Sequence, residues 1–114
     1  MQIKIESPSF ELTPAIQTQI EKKLSPLKKF IKSFEKEKEV LIFVEVKKVT
    51  KHHKHGEIFQ TLVKLNLNGE DLIAESNDIN FQTSLDIVKD KIKENILKYK
   101  EKIIQKNKNK KLRK

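Results

Sequence analysis

The feature that most constrains the fold is a change in the spacing of apolar residues near Asn80. Upstream of Asn80, apolar and polar residues alternate along several segments, which is typical of β-strands with one buried face. Downstream, apolar residues recur every three or four positions over about six turns and therefore share one face of a helix. This stripe consists of Phe81, Leu85, Val88, Ile92, Ile96, Tyr99 and Ile103. Such a helix and the strands must bury their apolar faces against each other.

The alternating segments predict four strands. Gln2–Glu6 is the first, and the second carries Val40, Ile42, Val44 and Val46 on one face. The third runs from about Glu57 to Leu67 and carries Phe59, Thr61, Val63, Leu65 and Leu67 on one face. Asn68-Gly69 then predicts a type I′ turn, because both residue types tolerate positive φ. The fourth strand runs from Glu70 to about Ser76.

Another helix is predicted between the first two strands. Thr13 is a suitable N-cap, and Pro14 suits the first helical position, where no backbone donor is needed. The apolar face of this helix is formed by Ile16, Ile20, Leu24, Leu27, Ile31 and Phe34. Pro26 lies inside the pattern and lacks a backbone donor, so we expect either a kink there or a new helix capped by Ser25.

The element order β-α-β-β-β-α predicts an α+β fold, with a four-stranded sheet and two helices packed on one face. A helix between the first two strands favours their parallel pairing through a right-handed crossover, and the later strands form an antiparallel meander. A chain of 114 residues has the length of a single domain, which we place at residues 1–104. Residues 105–114 are rich in lysine and asparagine and poor in apolar side chains, so a basic, disordered tail is expected there.

All of the net charge of +9 lies in the last 26 residues, which hold 12 basic and three acidic side chains. The preceding 88 residues are balanced. A neutral body with one strongly basic helix is typical of proteins that bind a polyanion, most often nucleic acid. Arg113 is the one arginine in the chain. Lysine point charges favour phosphates over the bidentate base contacts that arginine makes.

The lysines of the long helix lie along both edges of its apolar stripe, at about 100° per residue. One edge carries Lys89, Lys93 and Lys100, and the other carries Lys91, Lys98 and Lys102. The outward back carries Asp86, Asp90, Glu94 and Glu101. Two interpretations remain open: an RNA-binding surface, or an ordinary solvated helix with ion pairs. The lysines of the first helix either extend this surface or are ordinary surface charges; they are Lys22, Lys23, Lys28, Lys29 and Lys32.

Other classes of function find little support in the residue types. The chain has no cysteine for disulfides or thiolate metal sites, and no apolar run long enough for a transmembrane helix. His52, His53 and His55 lie beside lysines that oppose cation binding, so we favour a loop that contacts phosphate or solvent over a metal site. The sequence contains no phosphate-binding loop and no Gly-x-Ser-x-Gly nucleophile motif. We therefore expect no enzymatic activity, no cofactor and no small-molecule substrate. Met1–Ser9 is too charged for a secretory signal, so a soluble, cytoplasmic protein without membrane contact is expected.

The sheet face opposite the helices is expected to be partly apolar. Its apolar residues are Leu41, Phe43, Ile58, Leu62 and Ile73. This exposure is either the ordinary exposure of a small sheet or the surface of a protein-interaction module, one that would bind a protein such as a transcription factor.

Several motifs, in their order and spacing, resemble the ribosome hibernation promoting factors, the family that includes the ribosome-associated inhibitor also catalogued as a sigma-54 modulation protein. The general matches are Met1-Gln-Ile-Lys-Ile5, Glu11-Leu-Thr-Pro-Ala-Ile16, Val40 to Lys48, Gly56-Glu-Ile-Phe59 and Leu67-Asn-Gly69. The most specific are Leu85-Asp-Ile-Val-Lys-Asp-Lys-Ile92 and Leu97-Lys-Tyr-Lys-Glu-Lys102, which are similar to the family's Ile-Asp-x-x-x-Asp-Lys-Leu and Lys-x-Lys-x-Lys signature. One segment and one position depart from it: Asn80-Phe-Gln-Thr-Ser84 replaces Asp-Met-Tyr-Ala-Ala, and Glu94 replaces a frequent arginine.

The resemblance implies the same fold and a short-form factor without the C-terminal dimerisation domain of long-form members. It implies binding to rRNA in the messenger and transfer-RNA channel of the small ribosomal subunit, which blocks initiation and shelters idle ribosomes under stress. The positions that match the family's basic contacts are Lys91, Lys98, Lys100 and Lys102, with Lys22 and Lys23 as weaker matches. A separate ribosome-dimerising factor would be a further partner. The alternative within nucleic-acid binding is a general double-stranded RNA-binding module that uses the same helix surface.

Overall fold

The computed structural model describes residues 1–36, 38–50 and 56–112 and contains one four-stranded sheet with helices on one face. The strands are β1 (Gln2–Glu6), β2 (Leu41–Thr50), β3 (Glu57–Leu67) and β4 (Glu70–Asp78), in the spatial order β1-β2-β3-β4. The helices are α1 (Pro14–Leu24), α2 (Lys28–Ile31) and α3 (Phe81–Leu112). β1 pairs with β2 in parallel, and the other neighbours are antiparallel. The predicted α+β fold is therefore confirmed.

The first helical segment is interrupted at Pro26, as its sequence predicts. The Thr13 hydroxyl caps α1 by accepting a hydrogen bond from the Ile16 amide, at 3.2 Å. α1 ends at Leu24, a 3₁₀ turn follows over Ser25–Leu27, and α2 then continues. The Ser25 hydroxyl donates to the Lys22 carbonyl at 3.1 Å. The alternative in which Ser25 caps a new helix is therefore wrong, because its oxygen serves the end of α1.

The hairpin between β3 and β4 has the predicted turn. Asn68 and Gly69 have φ values of 52° and 88°, the left-handed pair that a type I′ turn requires. The Asn66 side chain supports the turn by accepting from the Gly69 amide and donating to Asp71, each at 2.9 Å. β4 continues to Asp78, two residues beyond the predicted end.

The core lies between the helices and the inner face of the sheet. Its central residues are Ile20, Leu24, Ile42, Val44, Val46, Val63, Leu65, Leu85, Val88, Ile92 and Ile96. They are the predicted apolar positions of α1, β2, β3 and α3. The α3 stripe is buried from Leu85 to Ile96 and half-buried at Phe81, Tyr99 and Ile103.

α3 continues to Leu112, whereas the sequence analysis places a disordered tail from Gln105 onward. Lysine, glutamine and leucine are good helix formers, and adding residues to an existing helix avoids the cost of nucleation. Ile104 is 57% exposed, so α3 leaves the core after Ile103. The division into a domain at 1–104 and a basic tail stays a prediction.

The start of β1 is tied to the chain that enters β2. The Met1 amino group lies 2.7 Å from Glu35 Oε2 and 3.2 Å from Glu39 Oε1. Glu35 Oε2 also accepts from the Val40 amide at 2.8 Å. The hydrogen bond to Glu35 raises the pKa of the amino group above 8.0, and the same bond lowers the pKa of Glu35 below 4.5. Each group therefore stabilises the charged form of the other.

A buried hydroxyl cluster fixes the first turn of α3 to the sheet. It consists of Ser84 from α3, Thr61 from β3 and Ser76 from β4, each at most 3% exposed. The Ser84 hydroxyl donates to Thr61 Oγ1 at 2.9 Å and lies 2.9 Å from Ser76 Oγ. Ser76 Oγ donates to the Ser84 carbonyl at 2.5 Å. Three elements are thus joined by hydrogen bonds inside an apolar core.

Candidate nucleic-acid interface

The predicted lysines on the two edges of α3 have different surroundings. Lys89, Lys93 and Lys100 are half-buried on the edge that faces α1 and α2. Lys91, Lys98 and Lys102 are exposed on the other edge. This difference follows from the fold, because helices cover one side of α3 and the outermost strand, β4, lies on the other.

A groove of about 370 Å³ separates α1 from the first turns of α3. Lys22, Lys23 and Lys89 line it, together with Gln19, Pro26, Gln82 and Leu85. Lys23 Nζ lies 2.5 Å from Asp86 Oδ1. Asp86 therefore faces α1, whereas the helical projection placed it on the outward back. Of the predicted lysines of the first helix, the structure brings Lys22 and Lys23 together with Lys89.

Further along α3, two lysines converge on an aromatic ring. Lys29 Nζ and Lys93 Nζ lie 5.1 Å and 5.2 Å from the centre of the half-buried Phe30 ring. Lys100 Nζ lies 5.9 Å from the Phe34 ring, which stacks on Tyr99. The ring face attracts an ammonium group electrostatically, and this contact limits the positions that the lysine side chain adopts. The sequence analysis missed Phe30; its position outside the apolar stripe and next to Lys29 was the available signal.

These residues form one basic surface, which we call the lysine groove: Lys22, Lys23, Lys29, Lys89, Lys93 and Lys100. Among the residues that the structure describes, Lys23 is the one member with a carboxylate within 4.0 Å. The ammonium groups are therefore largely uncompensated, and a groove lined by one sign of charge concentrates the electrostatic potential.

On its opposite edge, α3 contacts the backbone of β4. Lys91 Nζ donates to the Glu75 carbonyl at 3.0 Å, and Asn95 Nδ2 donates to the Ile73 carbonyl at 3.2 Å. These carbonyls belong to β4, an edge strand, so no neighbouring strand of the described sheet pairs with them. Lys91 therefore has a structural partner, which the sequence analysis did not foresee, and Asn95 was missed.

The remaining predicted contacts are solvated. Lys98 is paired with Glu94 at 3.2 Å, one turn apart on α3, and its side chain is 71% exposed. Lys102 is also exposed. Asp90, Glu94 and Glu101 are exposed as well, which agrees with their predicted place on the outward back. The direct roles of Lys91, Lys98 and Lys102 in RNA binding stay predictions.

Other candidate sites are less well supported. His52, His53 and His55 lie outside the described residues. Within the described ranges, no group of three or more histidine or acidic side chains could hold a metal ion. No helix in this part of the chain has both the length and the apolar character needed to cross a bilayer. A wider groove of about 910 Å³, near Phe34 and Phe43, has mixed charge and contains none of the predicted site residues.

The sequence matches a known protein family. A model of the family described as sigma 54 modulation protein / S30EA ribosomal protein matches residues 3–104. A comparison with curated proteins gave no match.

Two solved structures share the fold. The N-terminal domain of Protein Y from Thermus thermophilus has a TM-score of 0.70 and 21% identity, covering 87% of this chain and 99% of that one. A ribosomal subunit interface protein from Coxiella burnetii has a TM-score of 0.68 and 19% identity, covering 88% and 98%. Since the family model spans most of the sequence, the chain belongs to the sigma 54 modulation protein / S30EA ribosomal protein family, a family of ribosome-associated factors.

Proposed function

We propose that this protein is a non-enzymatic translation silencer that binds rRNA of the small ribosomal subunit through the lysine groove. Occupation of the channel for messenger and transfer RNA would block initiation on idle ribosomes. The exposed lysines on the other edge of α3, Lys98 and Lys102, would make additional phosphate contacts.

The observation that carries this proposal is the charge balance of the lysine groove. The lysine groove comprises six lysines from α1, α2 and α3, and among the described residues one carboxylate, Asp86, neutralises one of them. The two acidic residues nearest in the sequence to Lys89 and Lys93, Asp90 and Glu94, lie on the outward back. Such a surface attracts phosphates without reading base sequence.

Membership of a ribosome-associated family supports ribosomal RNA as the expected polyanion. Folded ribosomal RNA presents closely spaced phosphates on a rigid surface, and lysines held along a groove can match that surface by shape. Phe30 and Phe34 help because each limits the range of a lysine ammonium group before binding.

The test is co-sedimentation with purified small subunits over a range of salt concentrations. The variant Lys22→Gln/Lys89→Gln/Lys93→Gln removes three groove charges, and the matched control Lys4→Gln/Lys47→Gln/Lys64→Gln removes three from the opposite sheet face. Each lost phosphate contact lowers the slope of log K against log salt by about 0.7 to 0.9. The groove variant is therefore expected to lose a slope of about 2, whereas the control keeps the wild-type slope.

Equal effects of the two variants would contradict a localised binding site. Competition separates the two nucleic-acid interpretations: a ribosome-specific factor resists excess arbitrary duplex RNA. Comparable affinity for duplexes and for small subunits would favour a general double-stranded RNA-binding module.

A further inference from the structure

The outer face of the sheet, opposite the helices, carries its charges in two parallel rows. Strand register aligns four residues across the sheet in the lysine row: Lys4, Phe43, Lys64 and Ile73. The next row on the same face, two residues away along each strand, is the glutamate row: Glu6, Glu45, Leu62 and Glu75. Each row combines apolar side chains with charges of a single sign.

Most of these charges have no ion-pair partner among the described residues. In the described residues, the one ion pair within 4.0 Å that involves either row joins Glu45 to Lys47, at 3.3 Å. Ile73 is 51% exposed, and Phe43 and Leu62 are half-buried. The face therefore presents apolar side chains interleaved with charges of opposite sign in two adjacent rows.

We propose that this face binds a second copy of the chain, in a symmetric dimer with the two sheets stacked face to face. The two-fold axis lies between the two rows and runs across the strands. Rotation about this axis places the lysine row of each copy over the glutamate row of the other. Lys4 then faces Glu6 of the second copy, and Lys64 lies between its Glu45 and Glu75.

The same rotation places Phe43 over Glu45 and Ile73 over Glu75 of the second copy. Leu62 of the second copy lies opposite Lys64 and between Phe43 and Ile73, since these three occupy adjacent positions of one row. An isologous contact of this kind needs a surface that is complementary to itself, which two rows of opposite sign provide. Rotation about an axis along the strands would instead place glutamates on glutamates.

Charge complementarity favours a second copy over a polyanion on this face. A nucleic acid or an anionic membrane would meet the three carboxylates of the glutamate row. Four strands spaced about 4.8 Å apart give a face about 19 Å wide, which limits the total buried area to roughly 1,000 Å². The dimer should therefore be weak, with a dissociation constant on the order of 10 to 500 μM.

The experiment uses two charge-reversal variants of the full chain in sedimentation equilibrium. Lys4→Glu/Lys64→Glu makes both rows acidic, and Glu6→Lys/Glu75→Lys makes the face predominantly basic. We expect the wild type to dimerise and each variant alone to be monomeric. An equimolar mixture should recover a heterodimer within about tenfold of the wild-type affinity, because the acidic rows of the first variant then face the predominantly basic rows of the second.

A wild type that stays monomeric at about 0.5 mM, or a mixture that stays monomeric, would overturn the proposal. Circular dichroism checks that each variant folds. If a reversal variant does not fold, the neutral variants Lys64→Gln and Glu75→Gln replace it, each expected to weaken the dimer about three- to tenfold. No effect of either would also overturn the proposal. The helices lie on the outer sides of such a dimer, so this result is independent of ribosome binding through the lysine groove.

Discussion

The buried hydroxyl cluster allows a quantitative test of how α3 is attached to the sheet. Ser84→Ala removes the hydroxyl that donates to Thr61 and lies beside Ser76. Ser76 keeps its own hydrogen bond, because it donates to the Ser84 carbonyl, which the substitution leaves in place. The change therefore removes one buried donor and leaves Thr61 Oγ1 without the hydrogen bond that it accepts from Ser84.

The expected cost follows from these contacts. A lost hydrogen bond costs about 1 kcal/mol, and an acceptor left buried without its donor adds a further cost, so Ser84→Ala should lower the free energy of unfolding by about 1 to 3 kcal/mol. For a domain of this size, the melting temperature should fall by about 4 to 8 °C per kcal/mol. Replacing both partners, in Thr61→Val/Ser84→Ala, removes the unsatisfied acceptor and should cost less than the sum of the single changes.

Urea unfolding followed by circular dichroism measures the four members of this double-mutant cycle. A coupling of about 1 kcal/mol is expected between positions 61 and 84. Additive costs would refute the reasoning, because they would mean that the two hydroxyls do not interact. Ile16→Val, at a half-buried site on α1 away from the cluster, is the control and should be additive with Ser84→Ala.

Two further predictions concern the two edge strands of the sheet, β1 and β4. Glu35→Gln should destabilise the protein most between about pH 4.5 and pH 8. Because the pKa of Glu35 is lowered, its stabilisation of the fold is lost as the pH falls below about 4.5. Because the pKa of the Met1 amino group is raised, its stabilisation is lost as the pH rises above about 8. The difference from wild type in urea unfolding should therefore be smaller at both extremes of pH. Lys91→Ala/Asn95→Ala uncovers two carbonyls of β4 and should lower stability by about 1 kcal/mol while increasing turbidity on heating. The control Lys98→Ala/Glu101→Ala should do neither, and equal turbidity in both variants would show that β4 needs no cover.

The strands and the core were predictable because each depends on spacing within a short segment. Alternation identified the inner faces of β2 and β3, and Asn68-Gly69 identified the turn, since few residue pairs adopt its φ values. The break at Pro26 was also predictable, because proline lacks the backbone N–H that a helix interior needs. The role of Ser25 was not, because its hydroxyl can either accept from a backbone amide as an N-cap or donate to a carbonyl of the preceding turn, and the choice depends on local geometry.

The site was only partly predictable, because it depends on which elements become neighbours. Helical spacing placed Lys89 and Lys93 on one edge of α3, but it could not show that Phe30 would lie between Lys93 and Lys29. The hydroxyl cluster was not predictable for the same reason, because its members come from three different elements. Ser84 stands where the resemblance implies an alanine, and it can be accommodated because Thr61 and Ser76, on two neighbouring strands, supply its partners.

The two edges of α3 look equivalent in sequence but have different roles in the fold. Lys91 and Asn95, four residues apart, are separated by about 6 Å along a helix, which is close to the roughly 6.8 Å between alternate residues of a strand. That match lets them reach the carbonyls of Glu75 and Ile73 together. A phosphate that binds Lys91 must therefore compete with the backbone of β4, whereas phosphates in the lysine groove face ammonium groups that lie mostly without carboxylate partners in the described structure. The groove should consequently dominate the salt dependence of binding, and Lys91→Ala should affect the stability of β4 more than the affinity for RNA.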